Sequence, residues 1–390
     1  MKIDQYLDII GTLECIRNND CEFSSVNFDS RKITSKDLFV AISGTLSDGH
    51  NYIDSAISKG AKIVVCQTLP QNINENVSYI KVNNSSKALG ILASAIYGDP
   101  STKLKLIGVT GTNGKTTIAS TLFNLTSKLG YKSGLLSTIE VKIVDKSETA
   151  THTTPDPLQL NYYLSMMVDK GCEYCFMEVS SHSVVQNRIA GLHFIGGIFT
   201  NITHDHLDFH KTFKEYIKAK KTFFDLLPKT AFAITNLDDK NGNVMVQNTK
   251  AKIYSYSVKS GISDYKARIL ENHFDGMLLK INDQELWSKF IGKFNAYNLL
   301  AVYATAQTIG FNNLEILTTL SELDPIEGRF ETLRSTNSVT AIVDYAHTPD
   351  ALENVLTTIN DIRQGAGNLI LPPLLLPQAL TLYTDLLLSS

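Results

Sequence analysis

Residues 108–117 place glycines, a lysine and threonine hydroxyls directly after an apolar stretch, a spacing suited to binding phosphate. Gly111 and Gly114 let backbone N–H groups approach phosphate oxygens closely, and Lys115 can reach the terminal phosphates. The hydroxyl of Thr116 can bind Mg²⁺, and the helix expected to follow adds the positive end of its dipole. A strand-like run before the loop and a helical pattern after it supply the context that this motif requires. We predict a nucleotide site.

A carboxylate and a group of histidines follow two further apolar runs. Glu178 comes at the end of one run, and residues 199–210 lead from the other into a cluster of His and Asp that includes His206. Zinc is the alternative metal, but no thiolates accompany these residues, and hard oxygen ligands beside a phosphate loop favour Mg²⁺. Taken singly, each histidine is typical of a surface position. Together with the loop, the cluster predicts a magnesium site.

Two other groups of polar residues are more ambiguous. Four lysines lie on a helix predicted over 213–227: Lys214, Lys218, Lys220 and Lys221. A solvated basic face explains such a group, and we expect it for Lys214 and Lys218. Residues 152–156 supply paired hydroxyls that suit phosphate or carboxylate oxygens, although a plain turn would have a similar composition.

The composition is that of an ordinary globular protein, with 390 residues, 43% of them hydrophobic and 19% charged. The formal net charge of −3 argues against nucleic acid as the main partner. The first residues lack a basic region followed by an apolar core, so we expect no signal peptide, no membrane partner and a cytoplasmic location. Five cysteines, an odd number, suit a reducing compartment. We expect Cys172 and Cys175 in the core rather than at a metal.

Strand-like and helical stretches alternate along the chain, which predicts an α/β fold. An N-terminal α/β domain is expected over 1–100, because turn formers at 98–101 mark a boundary. Residues 101–333 are expected to form a central, doubly wound sheet. Its predicted strands are 104–109, 174–179, 197–200 and 231–235. Polar residues end these strands, so the phosphate loop and Glu178 should share the carboxyl edge of the sheet, where such sheets bind ligands.

In this order, the motifs resemble those of the ATP-dependent Mur ligase family, over residues 22 to about 363. The variant phosphate loop of that family accounts for Val109, which stands five residues before Gly114 where the general pattern has a glycine. Besides this loop, the resemblance is carried by residues 29–31 with 37–41, 152–155, 177–182 with Gln186 and Arg188, 205–208, 236–239, 294–298, 328–331 and 344–349.

The resemblance implies three domains: a UDP-substrate-binding domain, a P-loop ATPase domain and a Rossmann-like C-terminal domain. It also implies a reaction in which meso-diaminopimelate or L-lysine is joined to UDP-N-acetylmuramoyl-L-alanyl-D-glutamate, with release of ADP and phosphate. The substrate carboxylate would attack the γ-phosphate of ATP, and the amine would then attack the acyl phosphate. We expect a monomer.

Residue roles follow from the same resemblance. ATP is expected to contact Gly111, Thr112, Asn113, Gly114, Lys115, Thr116 and Thr117, with Asn295, Arg329 and Asp344 near the nucleotide. Thr116 and Glu178 are expected to ligate one Mg²⁺, and His206 and Lys220 a second. Lys220 matches the carbamoylated lysine of the family, and carbamoylation would convert its cation into a metal-binding anion. The expected UDP-substrate contacts are Ser30, Thr153, Thr154, Ser180, Gln186 and Arg188.

The C-terminal part departs from the family pattern. A strand is predicted at 339–344 and a helix at 349–362, but the leucine-rich, nearly uncharged residues from about 371 replace the segment that reads the incoming amino acid. We expect an incomplete domain over 334–390, produced by truncation or a shifted reading frame. The alternative is a short apolar helix that docks on a partner.

The sequence also allows two other functions. A folylpolyglutamate synthetase would share the phosphate loop, but residues 29–31 argue against it, because that family lacks a UDP-binding domain ahead of the loop. A catalytically inactive fragment would bind nucleotide or UDP-substrate without turnover.

Overall fold

The computed structural model describes residues 1–17, 22–44, 47–203, 205, 207–259, 261–334, 340–346 and 348–363. The chain divides into two compact units. The first contains Met1–Leu106, Lys132–Cys175 and Val179–Phe194, and the second contains Ile107–Tyr131, Phe176–Glu178 and the chain from Ile195 onward. Among the described residues, no helix is both long and apolar enough to cross a membrane. The domain boundaries expected from the sequence stay a prediction.

A five-stranded sheet forms the N-terminal part of the first unit. Its elements are β1 (Thr12–Ile16), β2 (Ser25–Asn27), β3 (Asp37–Val40), α1 (Ile53–Ser58), β4 (Ile63–Cys66), β5 (Ser78–Val82) and α2 (Ser85–Ile96). The strand order is β1-β5-β4-β3-β2, with only β1 antiparallel to its neighbour. Alternate residues of β3 enter different cores: Leu38 packs in the cluster of α2, and Phe39 in that of α1. The sheet is therefore buried on both faces.

The phosphate loop lies in the next stretch of chain. Its elements are β6 (Lys105–Thr110), α3 (Lys115–Lys128), β7 (Ser133–Leu136), β8 (Glu140–Ile143), β9 (Lys146–Thr149), α4 (Pro157–Asp169), β10 (Tyr174–Glu178), α5 (Ser181–Val185) and β11 (Gly196–Phe199). In the second unit, β11 pairs in parallel with β6, and β10 neighbours β6 on its other side. Every residue of β10 is buried, as expected for a strand with both faces covered.

The second unit continues with α6 (Leu207–His210), α7 (Phe213–Asp225), β12 (Phe232–Asn236), α8 (Gly242–Val246), β13 (Lys252–Ser257), β14 (Tyr265–His273), β15 (Gly276–Ile281) and β16 (Gln284–Ser288). Strands β11, β12 and β13 are parallel, which confirms the predicted α/β fold. The strands β14 to β16 form an antiparallel meander instead. This meander was not predicted, although the two-residue turn at Asn282 and Asp283 has the composition typical of hairpins.

The last described elements are α9 (Lys293–Thr308), α10 (Asn313–Glu322), β17 (Glu331–Arg334), β18 (Thr340–Val343) and α11 (Pro349–Ile362). The helix predicted at 349–362 is confirmed. Its apolar side packs in a cluster with Ile291 and Phe330, to which it contributes Ile359 and Ile362. The tail predicted from about 371 lies outside the described residues.

Candidate functional site

The phosphate loop connects β6 to α3, and its two critical glycines have backbone conformations that disfavour other residues. Gly111 has a φ of 154° and Gly114 a φ of 85°. A Cβ on Gly111 would collide with Thr200 Oγ1, and one on Gly114 would come within 2.5 Å of Asn298 Oδ1. Only glycine therefore allows the backbone conformation of this loop at both positions. Gly114 lies directly before the first turn of α3.

The end of β11 anchors the middle of this loop. Thr200 Oγ1 donates a hydrogen bond to the carbonyl oxygen of Asn113 at 2.6 Å, and Asn201 Nδ2 donates to the same oxygen at 3.2 Å. The N–H of Asn113 donates to Asn201 Oδ1 at 3.0 Å. No role was predicted for Thr200 and Asn201, although they are polar residues directly after a buried strand, the pattern that indicates the ligand-binding edge of such a sheet.

The ammonium of Lys115 folds back onto its own loop. It donates to the carbonyl oxygens of Gly111 at 2.9 Å and Thr112 at 2.7 Å. Burial lowers the pKa of Lys115, although the charges of Glu178 and Asp205 act in the opposite direction. A partly buried cation that is held by two carbonyl oxygens is suited to an incoming anion such as a phosphate.

Thr116 and Glu178 meet at the carboxyl edge of the sheet, as the sequence predicts. Thr116 Oγ1 donates to Glu178 Oε1 at 2.8 Å, and both side chains are buried. In the described part of the chain, no three His, Cys, Asp or Glu side chains gather into a metal cage. One hydroxyl and one carboxylate nevertheless fit Mg²⁺, which usually takes one or two carboxylates and completes its shell with phosphate and water. His206 lies outside the described residues.

Lys220 is the one lysine of its helix that is fully buried, at 1% exposure, whereas Lys214 and Lys218 are exposed as expected. Its ammonium donates to the carbonyl oxygen of Gly111 at 2.7 Å and lies 4.7 Å from the centre of the Tyr216 ring. Burial, and next the charge of Lys115, hold the pKa of Lys220 well below its usual value. The amine is thereby biased toward its neutral, nucleophilic form.

Arg329 reaches the phosphate loop from the chain that follows α10. Its Nη2 donates to Thr116 Oγ1 at 3.1 Å, and its guanidinium lies 4.8 Å from the centre of the Tyr345 ring. The buried Nε has no hydrogen-bond partner among the described residues. A buried donor without a partner is costly, so this atom indicates a missing ligand.

Two other residues that are predicted to contact the nucleotide, Asp344 and Asn295, form hydrogen bonds within the protein. Asp344 accepts hydrogen bonds from the backbone N–H groups of Phe330 and Ala346, both at 2.7 Å, and so fixes the backbone beside Arg329. Asn295 is buried, and its Nδ2 donates to the carbonyl oxygen of Ile291 at 2.8 Å. Their contacts with a nucleotide stay predictions.

The predicted substrate residues of the first unit come together around one arginine. Arg188 Nη1 donates to the carbonyl oxygen of Thr154 at 2.6 Å, and its Nε donates to Gln186 Oε1 at 2.8 Å. The N–H of Ser180 donates to Thr154 Oγ1 at 3.2 Å. Thr153 Oγ1 accepts from Thr138 Oγ1 at 3.1 Å. The structure thus gathers four of the predicted residues, Thr154, Ser180, Gln186 and Arg188, into one hydrogen-bonded group.

Ser30 begins a short 3₁₀-helix, Ser30–Lys32, in the N-terminal sheet domain of the same unit, and its side chain is buried. Asp29 caps this helix by accepting from the N–H of Arg31 at 3.0 Å. The hydrogen bond from the Arg31 side chain holds the pKa of Asp29 at about 2. The motif at 29–31 therefore fixes the backbone at Ser30.

Three models of known families match consecutive parts of the chain. They are described as the Mur ligase family catalytic domain, which matches residues 22–97, the Mur ligase middle domain, which matches 109–306, and the Mur ligase glutamate ligase domain, which matches 328–371.

Curated relatives are similar over nearly the whole chain. A UDP-N-acetylmuramoyl-L-alanyl-D-glutamate–2,6-diaminopimelate ligase of Phocaeicola vulgatus is 57% identical over 370 residues, which are 95% of this chain and 76% of that protein. The ligase of the same name from Bacteroides fragilis is 54% identical, with the same coverage. The chain thus spans about three quarters of the length of these relatives.

Solved structures agree with the fold. One of a ligase with the same name is 27% identical, has a TM-score of 0.77 and is matched over 89% of this chain and 73% of that one. The MurF ligase of Thermotoga maritima in complex with ADP is 19% identical, with a TM-score of 0.58 and coverage of 86% and 74%. At that identity the second likeness shows the fold alone.

Proposed function

The chain belongs to the Mur ligase family, and from this premise we propose that it joins 2,6-diaminopimelate to UDP-N-acetylmuramoyl-L-alanyl-D-glutamate at the expense of ATP. The names of the relatives that are 51–57% identical support this substrate pair. The product is the tripeptide precursor of peptidoglycan. Within the family, the chain is an ATP-dependent ligase that forms a carbon–nitrogen bond.

The observation that carries the proposal is the convergence of Lys115, Thr116 and Glu178 at the phosphate loop. A carboxylate is an unreactive acyl group at neutral pH, so it needs a leaving group before an amine can displace it. Transfer of the γ-phosphoryl group to the D-glutamyl carboxylate supplies one. Such a transfer depends on positioning and on neutralising the charge of the phosphates, and the ammonium of Lys115, held by two carbonyl oxygens of the loop, would do both.

We propose that Thr116 and Glu178 hold a Mg²⁺, which would neutralise phosphate charge when bound. The neutral amine of Lys220 can add to CO₂, which forms an N–C bond and releases a proton to give a carbamate anion. With His206, this carbamate would hold a second Mg²⁺. The protonated form of unmodified Lys220 would repel a cation there through its own positive charge, and the neutral amine would offer no carboxylate-like oxygens to bind the metal.

The UDP-linked substrate is proposed to contact Ser30, Thr153, Thr154, Ser180, Gln186 and Arg188. Arg188 is half-buried and has the fork of donors that suits a carboxylate or a diphosphate. Asn295, Arg329 and Asp344 would lie at the nucleotide, with the unpartnered Nε of Arg329 as a donor to it. We further propose a monomeric enzyme that works in the cytoplasm, where ATP is available.

Release of ADP in the presence of each substrate alone and of both together tests this function. We expect release only when ATP, the UDP-muramoyl-dipeptide and 2,6-diaminopimelate are all present. Lys115→Ala should lower the rate roughly 10²–10³-fold, as expected for loss of a group that stabilises transition-state charge. Lys128→Ala, at the exposed end of the same helix, is the matched control. Binding of ATP and UDP-substrate without ADP release would favour the inactive-fragment alternative.

A further inference from the structure

The carboxylate of Asp350 joins the first turn of α11 to the phosphate loop. Its Oδ2 accepts hydrogen bonds from Asn113 Nδ2 at 2.8 Å and from Thr203 Oγ1 at 3.2 Å. Asn354 Nδ2, one turn further along α11, donates to the same oxygen at 3.4 Å. Donors from the phosphate loop, from the segment after β11 and from α11 itself therefore converge on one atom.

This contact completes the anchoring of Asn113. The backbone N–H of Asn113 donates to Asn201, and its carbonyl oxygen accepts from Thr200. Its side-chain amide donates to Asp350. The peptide bond to Gly114 is planar, so holding the Asn113 carbonyl also sets the direction of the Gly114 N–H. That N–H belongs to the loop that would wrap the phosphates. The orientation of Asn113 therefore controls part of the nucleotide site.

The far end of α11 is fixed independently. Gly292, directly before α9, allows α11 to pack closely, since a Cβ added to Gly292 would lie 2.7 Å from Thr358 Cγ2 of α11. Ile359 and Ile362 are buried in the apolar cluster with Ile291. With its C-terminal half packed in this way, α11 presents Asp350 to the loop as part of a rigid element.

We propose that Asp350 is a positioning residue, which through Asn113 holds the phosphate loop in the conformation that accepts ATP. Docking of α11 and binding of nucleotide are then coupled, although Asp350 itself does not touch the reacting atoms. The inference rests on the proposed function only in taking ATP as the nucleotide.

Removal of Asp350 has two opposing effects on ATP affinity. Loss of the tether weakens binding, whereas loss of a negative charge near the phosphates strengthens it. The tether dominates, because the carboxylate accepts directly from Asn113 and Thr203, at 2.8 and 3.2 Å, whereas the partial exposure of Asp350 lets water and salt screen its charge. An asparagine at 350 separates the two effects, since it removes the charge and keeps an acceptor.

The test measures ATP affinity by calorimetry and amide hydrogen exchange in the loop, using the whole chain. Asp350→Ala should weaken ATP binding about tenfold, the equivalent of one lost hydrogen bond to a charged group. It should also accelerate exchange of the amides at 112–114 in the nucleotide-free protein. Asp350→Asn should stay within about twofold of the unmodified chain. Glu353→Ala removes an exposed charge from the same helix and should change neither measurement.

Equal ATP affinities in Asp350→Ala and Glu353→Ala would overturn the inference, as would tighter binding in Asp350→Ala. Binding that is as weak in Asp350→Asn as in Asp350→Ala would also contradict the inference, because the asparagine keeps an oxygen that can accept from Asn113 and Thr203. If the unmodified chain bound no ATP, the proposed function would be wrong, but the exchange rates of the nucleotide-free variants would still decide whether Asp350 holds the loop.

Discussion

Lys115 and Lys220 donate hydrogen bonds to one acceptor, the carbonyl oxygen of Gly111, at 2.9 and 2.7 Å. Lys220 is buried, which disfavours its protonation, and the charge of the partly buried Lys115 close by disfavours it further. The pKa of Lys220 falls well below its ordinary value for these two reasons, burial first. The site therefore favours a chemical change at Lys220 that removes its positive charge.

Carbamoylation of Lys220 is the first prediction. Incubation with ¹³C-bicarbonate should give one carbamate carbon resonance that disappears in Lys220→Arg and persists in Lys218→Arg. Only the neutral amine reacts, so the signal should grow as the pH rises through the lowered pKa of Lys220, at values where an exposed lysine is still protonated. An unchanged resonance in Lys220→Arg would place the carbamate elsewhere.

Replacing Glu178 by glutamine separates its charge from its hydrogen bond. Glu178→Gln keeps an oxygen that can accept from Thr116, so the melting temperature should change little. The lost charge should raise the Mg²⁺ concentration needed for half-maximal rate and lower the rate about 10²-fold. Glu173→Gln, at an exposed position directly before β10, is the control. A normal rate at the normal Mg²⁺ concentration would remove Glu178 from the metal site.

Gly90 of α2 lies close to the backbone of Ala190 within the first unit. Helix propensity alone would therefore give the wrong sign for the effect of Gly90→Ala on stability. A Cβ here would lie 2.6 Å from the carbonyl oxygen of Ala190, two residues after Arg188. Gly90→Ala should destabilise the protein by about 1–3 kcal/mol through overpacking, rather than stabilise it as an unhindered helical Gly→Ala does. Thermal unfolding, with Lys87→Ala on the exposed side of α2 as control, measures the difference.

The same clash predicts a kinetic effect. Displacement of Ala190 should carry Arg188 with it, so the KM for the UDP-substrate should rise more than the kcat falls. If Gly90→Ala proved more stable than the unmodified protein and its KM were unchanged, the contact between α2 and this loop would have no part in substrate binding.

Much of the site could be predicted from the sequence where the signal is local. The spacing of Gly111, Gly114 and Lys115 predicts the loop, and the polar end of an apolar run predicts the position of Glu178. The burial of Lys220 also has a local signal, since it follows Tyr216 by four residues and precedes Phe224 by four, on the apolar stripe of α7.

The rest depends on contacts that no local pattern contains. Asp350 lies 237 residues from Asn113 along the chain, so nothing near either residue indicates their hydrogen bond. An acid in the first turn of a helix is ordinarily explained by the helix dipole. The antiparallel meander at β14 to β16 was not among the predicted strands, although its turns have a local sequence signal at Asn282 and Asp283.

Transfer of ¹⁸O from the substrate carboxylate tests the central claim most directly. UDP-N-acetylmuramoyl-L-alanyl-D-glutamate would be labelled in both oxygens of the carboxylate that receives the new amino acid, and the released phosphate analysed by mass spectrometry. Attack of that carboxylate on the γ-phosphate, followed by displacement of phosphate by the amine, leaves one substrate oxygen on the phosphate. We predict one ¹⁸O in each phosphate released per peptide bond formed. Peptide bond formation with unlabelled phosphate would contradict carboxylate activation at the Lys115 loop.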